Sequence, residues 1–205
     1  MAVPKFVGDN AIWRNVFSER SVREGSTAEL LSKVPAFSGL LPRELKEVAA
    51  IVHKREYRAG EPVFTQGDPG LGMYIVQDGE VSITLSGKEG EQRELAVLGD
   101  GDFFGELALL DESPRSANAI CKTECNLIGF FRPDLFEVIE KNSALGVKIV
   151  LKLAEIVAAR LRNTDKELSR LKSQLERVQH LEERDSHGTK DHRLEEEVSS
   201  PARRA

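Results

Sequence analysis

The sequence predicts a mainly β fold: an antiparallel β-roll, or jelly roll, flanked by N-terminal helices and followed by a long C-terminal coiled-coil helix. Three observations lead there. Between Val52 and Phe131, short runs rich in β-branched residues alternate with glycine turns. On the N-terminal side of that stretch the apolar spacing is helical. Past Asn142, apolar residues recur in heptads.

Residues 1–25 form an extension whose apolar content gathers in Ile12, Trp13, Val16 and Phe17. Their i, i+1, i+4, i+5 spacing makes one helical stripe, read here as a short helix whose tryptophan anchors onto the main domain. Ser26 and Thr27 can cap a helix carrying Leu30, Leu31 and Val34. Pro42 opens another, in the first turn, where its missing N–H costs nothing. The roll is read as Pro62–Thr65, Met73–Val76, Val81–Leu85, Leu95–Leu98, Ala117–Cys121 and Cys125–Phe131. Asp78-Gly79 between two apolar runs is a hairpin signal, because glycine accepts the positive φ of tight turns. Strands this short, with almost no helix between them, favour a closed antiparallel roll over an α/β layer. Arg132-Pro133-Asp134 starts a helix with Leu135, Val138 and Ile139 on one face.

From 144 to 181 the chain reads as one long helix. Val147, Ala154, Leu161, Leu168 and Leu175 occupy one heptad position. Val150, Val157, Leu171 and Val178 occupy the other, with Thr164 interrupting. Ile149, Leu151, Leu153 and Ile156 make its first half apolar on more than one side. That half is expected to pack on the roll and on a partner helix, and the second half to form a two-stranded coiled coil, giving a homodimer. The stretch 182–205 mixes charges of both signs with few apolar residues and is expected to be a disordered tail. The domains are therefore drawn at 1–25, 26–143, 144–181 and 182–205.

Several classes are excluded by composition. Lys+Arg 29 against Asp+Glu 34 gives a net charge of −5, which offers no general attraction for nucleic acid or an anionic membrane. A helix-turn-helix module would need further helices with their own core after the long helix, and 182–205 lacks the apolar residues. No run approaches the ~20 apolar residues of a membrane span, nor is there a signal-peptide core. Of 4 histidines only His53 lies near the roll, so no metal-dependent jelly-roll enzyme is expected. Cys121 and Cys125 read as small core residues of a reduced, cytoplasmic protein.

One stretch carries chemistry: Phe104 to Ala119, FGELALLDESPRSANA. Gly105-Glu106-Leu107-Ala108 opens a short helical turn whose first N–H groups lack intrahelical partners and suit an anion. Arg115 follows a proline, and its planar fork matches a phosphate bidentately. Ser116 and Ala117 are small enough to let main-chain N–H groups approach the same anion. A carboxylate beside that arginine, Glu106, makes sense as an acceptor for a ribose hydroxyl or as a brace for the guanidinium. Phosphate and ribose together read as a nucleotide with one phosphate. The competing reading is a structural Glu106–Arg115 ion pair in a vestigial, ligand-free roll.

This run resembles the phosphate-binding cassette of the cyclic-nucleotide-binding domain family, of catabolite activator and protein kinase A regulatory-subunit type. Tyr57-Arg-Ala-Gly-Glu-Pro-Val-Phe64, Gln66-Gly-Asp68, Met73-Tyr-Ile-Val76, Gly79-Glu-Val81 and Gly101-Asp-Phe-Phe-Gly105 extend the likeness from about Leu30 to Leu161. The resemblance implies a non-catalytic sensor without a DNA-binding domain, needing no cofactor and binding cAMP, with cGMP the alternative. Arg115 would pair with the cyclic phosphate and Glu106 with the ribose 2′-hydroxyl. Backbone groups of Gly105, Leu107, Ala108, Ser116 and Ala117 would line the site. Ile83 and Leu95 would pack base and sugar. Thr164 would cap the base from the long helix, with Arg160 and Arg162 as alternatives. A protein partner, not identified by the sequence, would read the helix movement.

Overall fold

Two four-stranded antiparallel sheets form the centre of the computed structural model, which describes residues 26–87 and 91–198, with side chains to 177. The amphipathic stripe Ile12–Phe17 lies outside these residues. In chain order the elements are α1 (Thr27–Lys33), α2 (Pro42–Ala49), β1 (His53–Tyr57), β2 (Pro62–Phe64), β3 (Gly72–Asp78) and β4 (Val81–Ser86). They continue with β5 (Gln92–Leu98), β6 (Phe103–Phe104), α3 (Leu107–Leu110), β7 (Asn118–Cys121), β8 (Cys125–Phe131), α4 (Arg132–Lys141) and α5 (Ser143–Val198). One sheet runs β1-β8-β3-β6 and the other β2-β7-β4-β5. The expected strands are present. Two more, β1 and the two-residue β6, complete the first sheet.

Local chemistry explains the ends of the elements. The Ser26 hydroxyl accepts from the Glu29 N–H at 3.3 Å and starts α1. Glu44 Oε2 accepts from the Leu41 N–H at 2.7 Å at the head of α2, and Asp134 Oδ2 accepts from the Phe131 N–H at 2.8 Å at the head of α4. Gly79 has φ 102, and a Cβ there would lie 2.4 Å from the Glu124 carbonyl oxygen, so that hairpin turn admits only glycine.

Two apolar clusters divide the interior. One lies inside the roll, around Val76, Val81, Ile83, Phe104, Ala119, Cys121 and Leu127. The other joins the helices to the outer face of the first sheet, through Leu31, Phe37, Ile75, Phe103, Ile128, Leu145 and Ile149. Cys121 and Cys125 are 0% and 2% exposed, as core residues should be, and burial beside Cys125 pushes the Cys121 thiol up to about 12.

Among the described residues the chain separates into two compact units, divided between Ala159 and Arg160. This moves the boundary drawn at 143/144. Leu145, Ile149 and Leu153, one helical stripe, are all at or below 1% exposed and belong to the helix-side cluster, so the first four turns of α5 are part of the roll unit. Lys148 Nζ, 2.7 Å from Glu44 Oε1, ties the same stretch to α2. The Lys148 ammonium and the Leu41 N–H both favour the ionised Glu44 carboxyl and lower its pKa. In the second unit Leu161, Leu168, Leu171 and Leu175 are exposed. Helix α5 also continues to Val198, where the sequence was read as a disordered tail from 182. The segment is rich in Glu, has one glycine, and meets no proline before Pro201, so nothing local stops a helix already under way. No helix among the described residues is long and apolar enough to cross a membrane, and none of them form a metal-ligating cluster.

Ile149→Ala is expected to lower unfolding free energy by about 2–5 kcal/mol, because it opens a cavity under α2 and α4. Urea denaturation of the full chain checks this, and a loss below about 0.5 kcal/mol would mean that α5 does not belong to that core.

Candidate functional site

Arg115 is the residue around which this corner is built. Its backbone is fixed from both sides by the turn after β2. The Arg115 N–H donates to the Asp68 carbonyl at 2.9 Å, and the Arg115 carbonyl accepts from the Gly67 N–H at 2.9 Å. Asp68 Oδ2 closes that turn by accepting from the Thr65 N–H at 2.8 Å. The guanidinium, 8% exposed by residue, lies 4.0 Å over the ring of Phe64. Its Nη1 donates to the Gly105 carbonyl at 3.1 Å, while its buried Nε has no hydrogen-bond partner. Burial works against the charge and lowers the pKa, with Tyr74, Glu106 and Asp68 pulling the other way. Arginine stays protonated nonetheless.

Gly105 faces this guanidinium directly. It has φ 74, and an added Cβ would stand 2.6 Å from Arg115 Nη1. Both facts demand glycine: the left-handed backbone, and the space the arginine already uses. Glu106 follows, 1% exposed, with the negative charge that favours the ionised Arg115. A carboxylate this deep is expensive to bury unless its neighbours compensate. The predicted turn is real but short, Leu107–Leu110. Ala108 and Leu109 spend their N–H groups inside it, on Gly105 and Glu106 carbonyls at 3.3 and 3.0 Å, so the Ala108 N–H is not presented to an anion as expected. Leu109 points down into the helix-side cluster, and Leu107 is half-exposed.

The other predicted residues of the roll unit lie next to Arg115 in sequence or in the roll cluster. Ala117 is buried and Ser116 exposed, immediately after Arg115. Ile83 and Leu95 lie on β4 and β5, in the roll cluster that also holds Phe64, Phe104 and Ala117. Thr164 belongs to the second unit, where its hydroxyl donates to the Arg160 carbonyl at 3.0 Å; Arg162 is exposed there.

Two residues that the sequence reading did not single out shape the corner. Phe64 supplies the ring under the guanidinium and stands in an aromatic row with Tyr74 and Phe104, at centroid distances of 6.1 and 5.7 Å. Asn118 is a buried hub. Its Nδ2 donates to the Thr84 carbonyl, Thr84 Oγ1 and Ser86 Oγ at 3.3, 3.2 and 3.0 Å, and its Oδ1 accepts from the Gln66 N–H at 2.8 Å. It thereby pins the turn that holds Arg115 to strand β4. An asparagine between two alanines in a strand was the available signal, since a buried amide in that setting must find several partners.

Residues 54–142 match the model of the cyclic nucleotide-binding domain. The chain is 38% identical over 137 residues to a cyclic AMP receptor protein of Thermus thermophilus, covering 67% of this chain and 62% of that protein. The crystal structure of the Thermus thermophilus catabolite activator protein superposes with a TM-score of 0.61 at 38% identity, covering 67% of this chain and 62% of that one. The regulatory domain of Toxoplasma gondii PKA, solved with cAMP, superposes with a TM-score of 0.52 at 31% identity, over 55% of this chain and 43% of that one. The chain thus spans less than two thirds of each of these proteins. The roll, its glycine turns and the arginine corner have one common explanation: over residues 54–142 the chain is a cyclic nucleotide-binding domain related to catabolite activator proteins and PKA regulatory subunits.

Proposed function

We propose that this chain is a cyclic-nucleotide sensor, with cAMP its ligand, that reports binding to a protein partner through helix α5. One observation carries the ligand reading: a buried Arg115 Nε without a hydrogen-bond partner, on a guanidinium that donates to the Gly105 carbonyl and lies over the Phe64 ring. A buried donor left unmade costs about 1–3 kcal/mol, more when charged. An anion arriving at that face recovers the cost, and a phosphodiester with two free oxygens matches the guanidinium fork. Glu106 beside it then accepts from the ribose 2′-hydroxyl, and Ile83 and Leu95 offer apolar surface to the base. The exposed Ser116 hydroxyl is where a 2-amino group of guanine would be read, which makes cGMP the alternative ligand. In this reading the chain catalyses nothing, and Thr164, Arg160 or Arg162 caps the base.

The output follows from the exposed leucines of α5. Leu161, Leu168 and Leu175 fall seven apart and are 50–60% exposed, apolar surface that a monomer gains nothing by showing to water. The homodimer proposed here covers them with the same stripe of a second chain. A ligand shifts this helix only by binding one arrangement of it more tightly than another.

Three measurements test the proposal. At a concentration about 100 times its Kd, cAMP adds about 2.7 kcal/mol of stability; for a chain this long that is a rise in Tm of about 5–11 °C. A scan with cAMP, cGMP and a cyclic dinucleotide at millimolar concentration separates the ligands, and no shift with any of them ends the sensor reading. Arg115→Ala weakens cAMP binding by about 2–5 kcal/mol, roughly 30- to 4000-fold, because the phosphate loses its buried counter-charge. Calorimetric titration checks this, and wild-type affinity in the mutant removes the assignment. Leu168→Glu with Leu175→Glu lowers the mass seen by sedimentation to that of a monomer while the cAMP-induced Tm shift survives. An unchanged mass argues against the α5 dimer.

A further inference from the structure

A concave surface lies on the helical side of the roll unit. It is a groove of about 190 Å³ floored by Ile51, Val138 and Leu145 and rimmed by Glu47, Glu137 and Lys141. It takes residues from the end of α2, from α4 and from the start of α5, and Asn142 lies in its wall. Asn142 is the one residue between α4 and α5, with φ −145 and ψ 79, and its Nδ2 donates to Glu47 Oε2 at 3.2 Å. The groove therefore straddles the joint between two helices. At about 30 Å³ per water its volume equals roughly six water molecules, the room one large side chain needs.

We propose that this groove is the seat of the N-terminal stripe Ile12, Trp13, Val16 and Phe17, with the Trp13 indole as the inserted group. Three features favour this occupant. The first is reach. The segment joins the fold at Ser26, the cap of α1; α1 packs on α2, and α2 contributes Glu47 to the groove. The eight residues 18–25 between Phe17 and Ser26 let the chain span roughly 30 Å, more than twice the length of either helix. The second is shape and polarity. An indole presents a flat apolar body to Ile51, Val138 and Leu145 and an N–H to the carboxylates at the rim. The third is charge. Arg14 lies within the stripe and Arg20 three residues beyond it, and the rim carries Glu47 and Glu137 against Lys141, which pairs with Glu137 and leaves Glu47 as the acidic group for an arginine to meet. A segment seated here clasps α2, α4 and α5 together across Asn142, which makes the N-terminus a brace on the helix that the proposed function uses as its output.

Trp13 is the only tryptophan in the chain, so the full-length protein reports on itself. The nitroxide probe is placed at Lys141→Cys on the groove rim and, as a control, at Arg93→Cys on strand β5. The native cysteines are at most 2% exposed and stay unlabelled. The expected result is blue-shifted Trp13 emission, shielded from acrylamide and largely lost with the label at 141 but not at 93, at every protein concentration. Ile51→Glu is expected to return the emission to that of solvated indole. Should that variant misfold, the labelling result stands alone. Solvent-like emission, blue-shifted emission that neither label quenches, or equal quenching from both sites overturns the proposal. So does quenching in mixtures of unlabelled chain with labelled Trp13→Phe chain, which places the stripe on a second copy. A blue shift seen only with anionic vesicles overturns it in favour of a lipid surface. None of these outcomes depends on whether a cyclic nucleotide binds.

Discussion

A buried, incompletely satisfied guanidinium is the constraint that organises this end of the molecule. Arg115 contributes a hydrogen bond from a charged donor, of order 1.5–3 kcal/mol, and a cation–π contact, of order 0.5–2 kcal/mol. Against these stand the desolvation that lowers its pKa and the donor at Nε with no acceptor. The Nε donor stays unused, so the corner is held but not saturated. Its backbone has no such slack. Gly67 and Asp68 grip Arg115 at both main-chain groups, and Asn118 fixes the Gln66 turn to β4. The side chain therefore keeps its place without spending all its donors on the protein, as the proposed phosphate contact requires.

The corner is coupled to the helices by the shortest strand of the fold. Phe103 and Phe104 make up β6, and as neighbours in a strand they face opposite ways. Phe104 belongs to the roll cluster with Ile83 and Ala117, and Phe103 to the helix-side cluster with Leu135, Leu145 and Ile149. Gly105 and the α3 turn follow at once, and Leu109 of that turn enters the same helix-side cluster as Phe103. If an anion drew Gly105 toward Arg115, as the proposed function has it, the displacement would act on the packing of α4 and the first turns of α5 through two adjacent attachments, Phe103 and Leu109. Close-packed interiors pass such displacements on, because no void is available to absorb them.

The sequence disclosed elements whose local chemistry is self-sufficient, and withheld those defined by their partners. Ser26, Pro42 and the Asp78-Gly79 turn each announced a boundary from their own residue types, and the structure has them there. Glu106 and Arg115 stood out as an acidic residue and an arginine beside glycine, proline and serine, and the structure buries both in one corner. Strand β1 was not separated out, for four of its five residues are exposed and HKREY has no alternation to read. Strand β4 hid its faces differently: Val81, Ser82, Ile83 and Thr84 are all buried. Ser82 is accommodated by Glu94 at 2.7 Å, Thr84 by Asn118, and the register shifts between Ile83 and Thr84. Polar residues there signal internal partners instead of a solvent face, and the partner lies on another strand. Phe64 looked like any strand aromatic until Arg115, far along the chain, came to lie over it.

Helix α5 shows why a heptad count alone misplaces a domain boundary. Leu145, Ile149 and Leu153 advance by four residues and are buried in the roll unit. Val147 and Leu151, on the facing side of the same turns, are 55% and 58% exposed. At 100° per residue, Val147 stands about 200° from both Leu145 and Ile149, so the two stripes occupy opposite faces of one cylinder. One stripe is spoken for by the core of this chain. The other leads in heptad steps to Leu161, Leu168 and Leu175, and burying it within the same unit would require the helix to be wrapped on both sides by a roll that contacts it on one. The stripe buried in the core and the exposed stripe of Val147 and Leu151 are thus different sides of one helix over residues 143–159. A rotation or tilt imposed on the buried stripe must be shared by the exposed one, and no linker between them could absorb it.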